Sequence, residues 1–294
     1  MNETALEQDA CPLCGAAGDT WTRRGGRELR LCRVCRFAWV RQGLMRGSSG
    51  LSIYEDGMPD FMTEYADYYQ DASAIDAARD KLQWVRHHAL VGGRLLDVGA
   101  NLGFFAKEAS RHFETEGLEP AAAMVEWGRA HLQAPIEVGS IHDARQDFRD
   151  RFDVITVFDV IEHVPDPRGA LERCREYLAP GGRLFITTPD AGSAMARLLG
   201  RQWYYLDLVQ HIALFNRANL TRLLADTGFA LVATRTVGRR YRCSYIERRL
   251  HDLAAGNAAL RIAHVAALPL TLWPAARIPL NLGDVMGVVA ERRP

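Results

Sequence analysis

From Arg94 to Phe105 the chain runs from an apolar strand, Leu95-Leu96-Asp97-Val98, through a turn bounded by Gly99 and Gly103, into a helical segment opened by Phe104 and Phe105. A strand handed straight to a helix by a short turn is half of a βα unit, and repeats of that unit build a parallel sheet covered on both faces. The repeats are present: Arg94–Val98, Thr115–Glu119, Ile136–Val138, Asp153–Phe158, Arg183–Thr188, Ala230–Val237 and Val285–Glu291 read as strands, with helical segments between most of them. Ser73 to Leu90 precedes them as an amphipathic helix, with Ile75, Leu82, Trp84, Val85 and Leu90 among its apolar positions.

The glycine turn is also where a ligand belongs. Gly99 and Gly103 allow a close backbone approach, and the helix start offers unpaired N–H groups. The spacing is GxxxG rather than GxGxxG, which argues against a nicotinamide dinucleotide. Glu119 ends the next strand, 22 positions after Asp97, where a carboxylate can accept both ribose hydroxyls.

Four cysteines come earlier, as Cys11-Pro12-Leu13-Cys14 and Cys32-Arg33-Val34-Cys35, with 17 residues between the pairs. Each CxxC turn can aim two thiolates at one point, and the intervening length suits a β-hairpin, with Gly15, Gly25 and Gly26 for its turns. A tetrahedral Zn²⁺ held by Cys11, Cys14, Cys32 and Cys35 has no open position and is structural. Disulfides or a redox pair are the alternatives. Cys174 and Cys243 read as isolated, semi-buried thiols.

Lys+Arg and Asp+Glu are 36 each, so the net charge is zero, and 48% hydrophobic with 24% charged residues excludes disorder. Met1 to Ala10 is polar and acidic and there is no run of 18 uncharged apolar residues, which sets the cytosol as the expected compartment. The zero total hides a division: +3 over residues 1–46, −9 over 47–228 and +6 over 229–294. Arg23, Arg24, Arg27, Arg30, Arg33, Arg36, Arg41 and Arg46 make the cysteine segment basic, either as a solvated face or toward nucleic acid or an anionic substrate. Only Lys81 and Lys107 are lysines.

Over residues 90–237 the sequence resembles the class I S-adenosylmethionine-dependent methyltransferases. The motifs are Leu-Leu-Asp-Val-Gly-Ala-Asn-Leu-Gly at 95–103, Gly-Leu-Glu-Pro at 117–120, Phe-Asp-Val-Ile-Thr-Val-Phe-Asp-Val-Ile-Glu-His-Val at 152–164 and Leu-Ala-Pro-Gly-Gly-Arg-Leu at 178–184. With the CxxC pairs, His211-Ile212-Ala213-Leu214-Phe215 and the closing 278–284 segment, it is similar to a bacterial subgroup that methylates small molecules, sugars included, related to the ubiquinone-pathway O-methyltransferases. The resemblance implies an α/β, Rossmann-like, seven-stranded, mostly parallel sheet with an N-terminal four-cysteine zinc ribbon. It divides the chain into a ribbon (1–46), a linker and lid helix (47–90) and a methyltransferase domain (91–294) with a C-terminal insertion near 238–284. Asp97, Gly99, Ala100, Asn101 and Gly103, then Glu119 and Pro120, Ser140 and Ile141, and Phe158 and Asp159 are the implied S-adenosylmethionine contacts. Ala100 stands where the commonest motif has a second glycine.

Asp159, Glu162 and His163 follow the fourth strand, at the edge where the methyl acceptor belongs. His163 is the first candidate for general base, because a neutral imidazole accepts a proton near neutral pH; the alternative is that it caps a turn marked by Pro165 and Pro167. His211, preceded by Trp203, Tyr204 and Tyr205, is the second candidate, and Glu162 completes the catalytic set. Asp159, Glu162, His163 and His211 also offer a second divalent-metal site, similar to the acid-x-x-Glu-His of ubiquinone-pathway and small-RNA methyltransferases. The expected acceptor is a small molecule such as a sugar, a phosphorylated or nucleotide-linked sugar or a natural-product intermediate, with oxygen ranked ahead of nitrogen and carbon as the atom methylated. An RNA acceptor and a non-catalytic scaffold are the rivals, and the oligomeric state is left open. Residues 258–280, broken by Pro269, Pro274 and Pro279, read as a pocket cover, a dimer contact or a membrane-surface segment flanked by Arg239, Arg240, Arg242, Arg248 and Arg249. Tyr54, Tyr65, Tyr68 and Tyr69 read as lid residues or as packing under the ribbon.

Overall fold

The structure is a computed structural model that describes residues 9–41, 72–89, 91–254, 264–274 and 276–294. The four tyrosines at 54–69 lie outside them. Three short strands come first: β1 (Gly18–Arg24), β2 (Arg27–Cys32) and β3 (Ala38–Val40). The chain then alternates through α1 (Ala72–His88), β4 (Arg94–Val98), α2 (Phe104–Ala109), β5 (Glu114–Glu119), α3 (Ala122–Leu132) and β6 (Ile136–Val138). It continues with β7 (Phe152–Phe158), α4 (Pro167–Tyr177), β8 (Leu178–Pro189), α5 (Ala194–Leu199), β9 (Ala213–Leu214), α6 (Arg217–Asp226) and β10 (Phe229–Thr236). The last elements are β11 (Arg239–Arg242), α7 (Cys243–Ala254), β12 (Arg277–Leu280) and β13 (Val285–Arg292).

Seven strands form the central sheet in the order β10-β13-β8-β7-β4-β5-β6. The pairings among β6, β5, β4, β7 and β8 are parallel, and β13 runs antiparallel to both β8 and β10. The strands are apolar on both faces because helices cover both: Leu95, Leu96, Ile155, Phe185, Ile186 and Val289 are fully buried. On one face Trp84 of α1 packs edge-on to Phe185 at 5.3 Å. On another layer α4 turns Ala170, Leu171, Cys174 and Tyr177 inward at helical spacing. Pro167, expected to mark a turn, instead opens this helix. Its fixed φ and missing N–H suit the first helical position, and the Asp166 carboxylate accepts the Gly169 N–H at 2.9 Å as the cap.

Chain order reverses between β4 and β7, and the loops at the C-terminal ends of these strands enclose the crevice such sheets use for ligands. A second sheet, β1-β2-β3-β9, lies beside it. Gly25 and Gly26, with φ of 55° and 74°, make the tight turn between β1 and β2. Its fourth strand is supplied from the main domain, where Ala213 and Leu214 pair with Trp39 and Ala38. Cys11, Cys32, Phe37 and Trp39 share one apolar cluster with Leu96, Ile155 and Ile186, so the ribbon packs into the same core. At the other end β11 and β12 pair antiparallel, and Val265, Leu268, Leu272 and Trp273 are exposed. Among the described residues no helix is long and apolar enough to cross a membrane.

Candidate active site

The turn after β4 is held in left-handed backbone at Gly99 (φ 70°), Asn101 (φ 52°) and Gly103 (φ 81°). A Cβ on Gly99 would stand 2.4 Å from Val160 Cγ2, and one on Gly103 would stand 2.4 Å from Ala134 Cβ. Packing against the next loop and the next strand, together with φ, therefore requires glycine here. Ala100 is accommodated because Gly117 faces it: a Cβ on Gly117 would meet Ala100 Cβ at 3.0 Å and Ile136 Cγ2 at 2.7 Å.

Glu119 bridges the turn to its own strand end. Its Oε2 accepts the Asn101 N–H at 2.8 Å and its Oε1 accepts the Ala121 N–H at 3.0 Å, across Pro120. Each carboxylate oxygen keeps a lone pair for a further donor. Burial raises the Glu119 pKa above the ordinary value. Asp97 is buried on β4, takes the Thr156 hydroxyl at 2.7 Å, and is pushed up to about 7 by desolvation. In the loop after β6, Ser140 and Ile141 are buried, and His142 Nε2 is buried with no hydrogen-bond partner among the described residues. Such an orphaned polar atom, in the loop after the strand that pairs with β5, fits a polar ligand in the crevice. The ring of Phe158 stands edge-on to Phe105 at 5.0 Å under Lys81, so it serves the α1–α2 packing.

At the end of β7 the backbone again turns left-handed, at Asp159 (φ 59°). Sequence reading places Asp159 in a metal set; in the structure its carboxylate faces two cations. Its Oδ2 faces Lys81 Nζ at 3.2 Å, and its Oδ1 faces Arg239 Nη2 at 3.0 Å and accepts the Thr187 hydroxyl at 3.1 Å. Burial opposes ionisation, but the two cations hold the carboxyl well below its usual range. The donor atoms that converge are those of Glu162, His163 and His211, all within 4.8 Å of one another. Glu162 is fully enclosed, accepts the Thr188 hydroxyl at 2.9 Å, and is pushed up to about 8 by burial and by the Asp159 charge. Burial lowers both imidazoles, His211 to about 4, so both are neutral near pH 7. The Glu162 carbonyl accepts the N–H groups of Ile212 and Ala213 at 3.0 Å each, which fastens β9 beside β7.

The four ribbon cysteines are free thiols with Sγ–Sγ separations of 3.5–3.6 Å for Cys11–Cys35, Cys14–Cys32 and Cys14–Cys35. Bonds of about 2.3 Å to a tetrahedral Zn²⁺ would set sulfurs about 3.8 Å apart, so the group fits that ion. Cys32 Sγ also accepts N–H groups from Val34 and Cys35 at 3.4 Å, as a thiolate would. The ribbon arginines are largely engaged within the protein: Arg23 with Glu28, Arg33 with Asp19, Arg30 with Asp9 and Glu28, and Arg41 with Asp9.

A family profile described as "Methyltransferase domain" matches residues 63–234, more than half of the chain. The chain belongs to this methyltransferase family. Among curated proteins, this family member is 31% identical over 121 residues to a ubiquinone biosynthesis O-methyltransferase of Erwinia tasmaniensis, covering 38% of this chain and 50% of that one. It is 32% identical over 117 residues to the protein of the same name from Acinetobacter baylyi, covering 37% and 49%. The match thus spans about half the length of these relatives. Among solved structures, a SAM-dependent methyltransferase of Thermotoga maritima superimposes with a TM-score of 0.53 at 18% identity, covering 82% of this chain and 99% of that one. A 1,6-didemethyltoxoflavin-N1-methyltransferase of Burkholderia thailandensis, solved with S-adenosylhomocysteine, gives 0.53 at 13% identity, covering 94% and 100%. These likenesses establish the class I methyltransferase fold, as the seven-stranded sheet anticipates.

Sequence reading missed Lys81, Thr187 and Thr188, and took Arg239 for a surface charge. Lys81 carried a signal, being one of two lysines in an arginine-rich chain. The threonines of β8 carried none, because a period-two apolar strand hides which hydroxyls face a carboxylate.

Proposed function

We propose that this chain transfers a methyl group from S-adenosylmethionine to the oxygen of a small-molecule acceptor. The observation that carries the reading is the Glu119 carboxylate at the end of β5 spanning the glycine turn of β4, the strand next to β7, after which Glu162 and His163 converge with His211. S-adenosylmethionine, bound there, supplies an electrophilic methyl group. Glu119 would hold its ribose hydroxyls, and the turn from Gly99 to Gly103 with Asp97, Ala100 and Asn101 would receive its amino-acid end. Ser140, Ile141 and His142 would flank the base. His163, neutral and half-buried, would take the acceptor's proton, and the nearby Asp159 charge favours the imidazolium that results. His211 stands in the same position chemically, with its ring 4.9 Å from that of His163.

The four cysteines would hold a structural zinc. A second reading of the histidines is favoured by their convergence with Glu162: the three donors would hold a divalent metal that orients the acceptor oxygen. Zinc and metal content separate the two. One ion per chain supports His163 as base; a second ion lost in His211→Ala supports the metal. An RNA acceptor is less favoured, because four of the ribbon arginines pair with Asp9, Asp19 and Glu28 and two more bind main-chain carbonyls of the protein itself. Incubation with methyl-labelled cofactor tests the whole reading. Label should pass to a phenolic or sugar hydroxyl acceptor and fall about 10²-fold or more in His163→Gln. Label passing to tRNA alone would overturn it.

A further inference from the structure

Both histidines direct Nδ1 at a main-chain carbonyl: His163 at Gln210 O and His211 at Tyr205 O, each 2.8 Å away. A carbonyl oxygen only accepts, so each neutral ring carries its proton on Nδ1 and leaves the Nε2 lone pair bare. Whatever either imidazole does through Nε2 therefore depends on where two peptide groups stand. Both belong to the connection between α5 and β9, which has a short 3-10 turn at Gly200–Gln202 and no other helix or strand. An irregular segment of this kind needs outside partners to hold one conformation.

The tip of the cysteine ribbon provides them. Arg24 donates from Nη2 to Arg201 O at 2.5 Å and from Nη1 to Leu206 O at 3.3 Å. Arg27, its cross-strand partner, makes a longer contact from Nη1 to Leu208 O at 3.5 Å. Leu206 follows Tyr205 directly, and Leu208 lies between Tyr205 and Gln210, so the arginines grip the stretch that carries both histidine-binding carbonyls. Val40 N–H closes the far end on Ile212 O at 2.9 Å. A guanidinium suits this task because its planar fork presents two donors to two carbonyls at once, which an ammonium cannot match in geometry.

We propose that Arg24, supported by Arg27, is a positioning residue that fixes the tautomer of His163 and His211 from the ribbon tip. The consequence for catalysis rests on the methyl-transfer reading; the tautomer does not. Part of the ribbon's basic character then serves the neighbouring site and not an outside partner.

The test is nitrogen-15 spectroscopy of histidine ring nitrogens in the full, metal-replete chain, with His163→Gln and His211→Gln to assign the two rings. The wild type should show a protonated Nδ1 and a bare Nε2 for both. In Arg24→Ala the two nitrogen signals of His211 should move toward each other as the tautomers mix, and Arg24→Lys should restore part of the separation. Cofactor affinity should stay unchanged while kcat falls about tenfold. An Arg24→Ala, Arg27→Ala double variant that keeps both tautomers overturns the proposal. Should that variant not fold, as judged by its zinc content, the same spectrum of Arg24→Gln decides. A chain that binds no S-adenosylmethionine, yet shows the tautomer response, sinks the methyl-transfer reading and leaves the positioning role standing.

Discussion

The two ends of the crevice are assembled in different ways. At the β4–β5 end the glycine turn and its carboxylate come from one stretch, residues 94–121, and their contacts join neighbouring strands: Glu119 to Asn101, and Ala100 against Gly117. At the β7 end Lys81, Asp159, His163, Thr188, His211 and Arg239 come from separate segments, and ribbon residues hold the loop behind them. Local assembly makes the first end stiff and readable. Remote assembly joins the second end to the ribbon and to the C-terminal elaboration through Arg24 and Arg239.

The largest effect expected is at the remote end. Stripping metal from the cysteines with a strong chelator should unfold the ribbon, since metal binding and folding of a four-cysteine site are one process worth about 10 kcal/mol or more. Hydrogen exchange should then rise across residues 9–41 and 201–216 and leave 94–121 protected. Equal loss at both ends would erase the contrast.

Next comes Gly117→Ala, whose methyl group meets Ile136 and Ala100. It should cost about 1–3 kcal/mol in urea unfolding, and Ala100→Gly should return part of that. A strictly additive pair would show that Gly117 does not make the room for Ala100.

A smaller effect, dependent on pH, belongs to Glu162. Its folded pKa of about 8 lies above the ordinary 4.5, so its contribution is fully present below pH 4.5 and is lost as pH rises through 8. Glu162→Gln should therefore melt higher than wild type at pH 9, with the advantage shrinking toward pH 5. An advantage that grows on acidification would contradict the buried, protonated carboxyl. The smallest effect is Arg33→Ala, which removes a solvent-exposed pair with Asp19 and should leave the melting temperature unchanged within error.

The same contrast explains what could be read from sequence. Strand positions at Arg94–Val98 and Ile136–Val138 coincide with the observed ones, and the helix expected over 73–90 spans 72–88, because apolar periodicity records burial directly. The glycine turn and Glu119 were legible for the same local reason. The ion pairs of Asp159 are invisible locally because its two cations lie about 80 positions away on either side, at Lys81 and Arg239. Arg24 looked like any solvated arginine until a loop far along the chain brought carbonyls to it. Strand β9, only two residues long, has no periodicity to find.

Calorimetric titration of S-adenosylmethionine into the wild-type and Glu119→Ala chains tests the central claim most directly. The account predicts one site per chain and a loss of about tenfold to a hundredfold in affinity on truncation, the equivalent of a charge-assisted hydrogen bond of about 1.5–3 kcal/mol. No binding to the wild type, or equal affinity in Glu119→Ala, would contradict it.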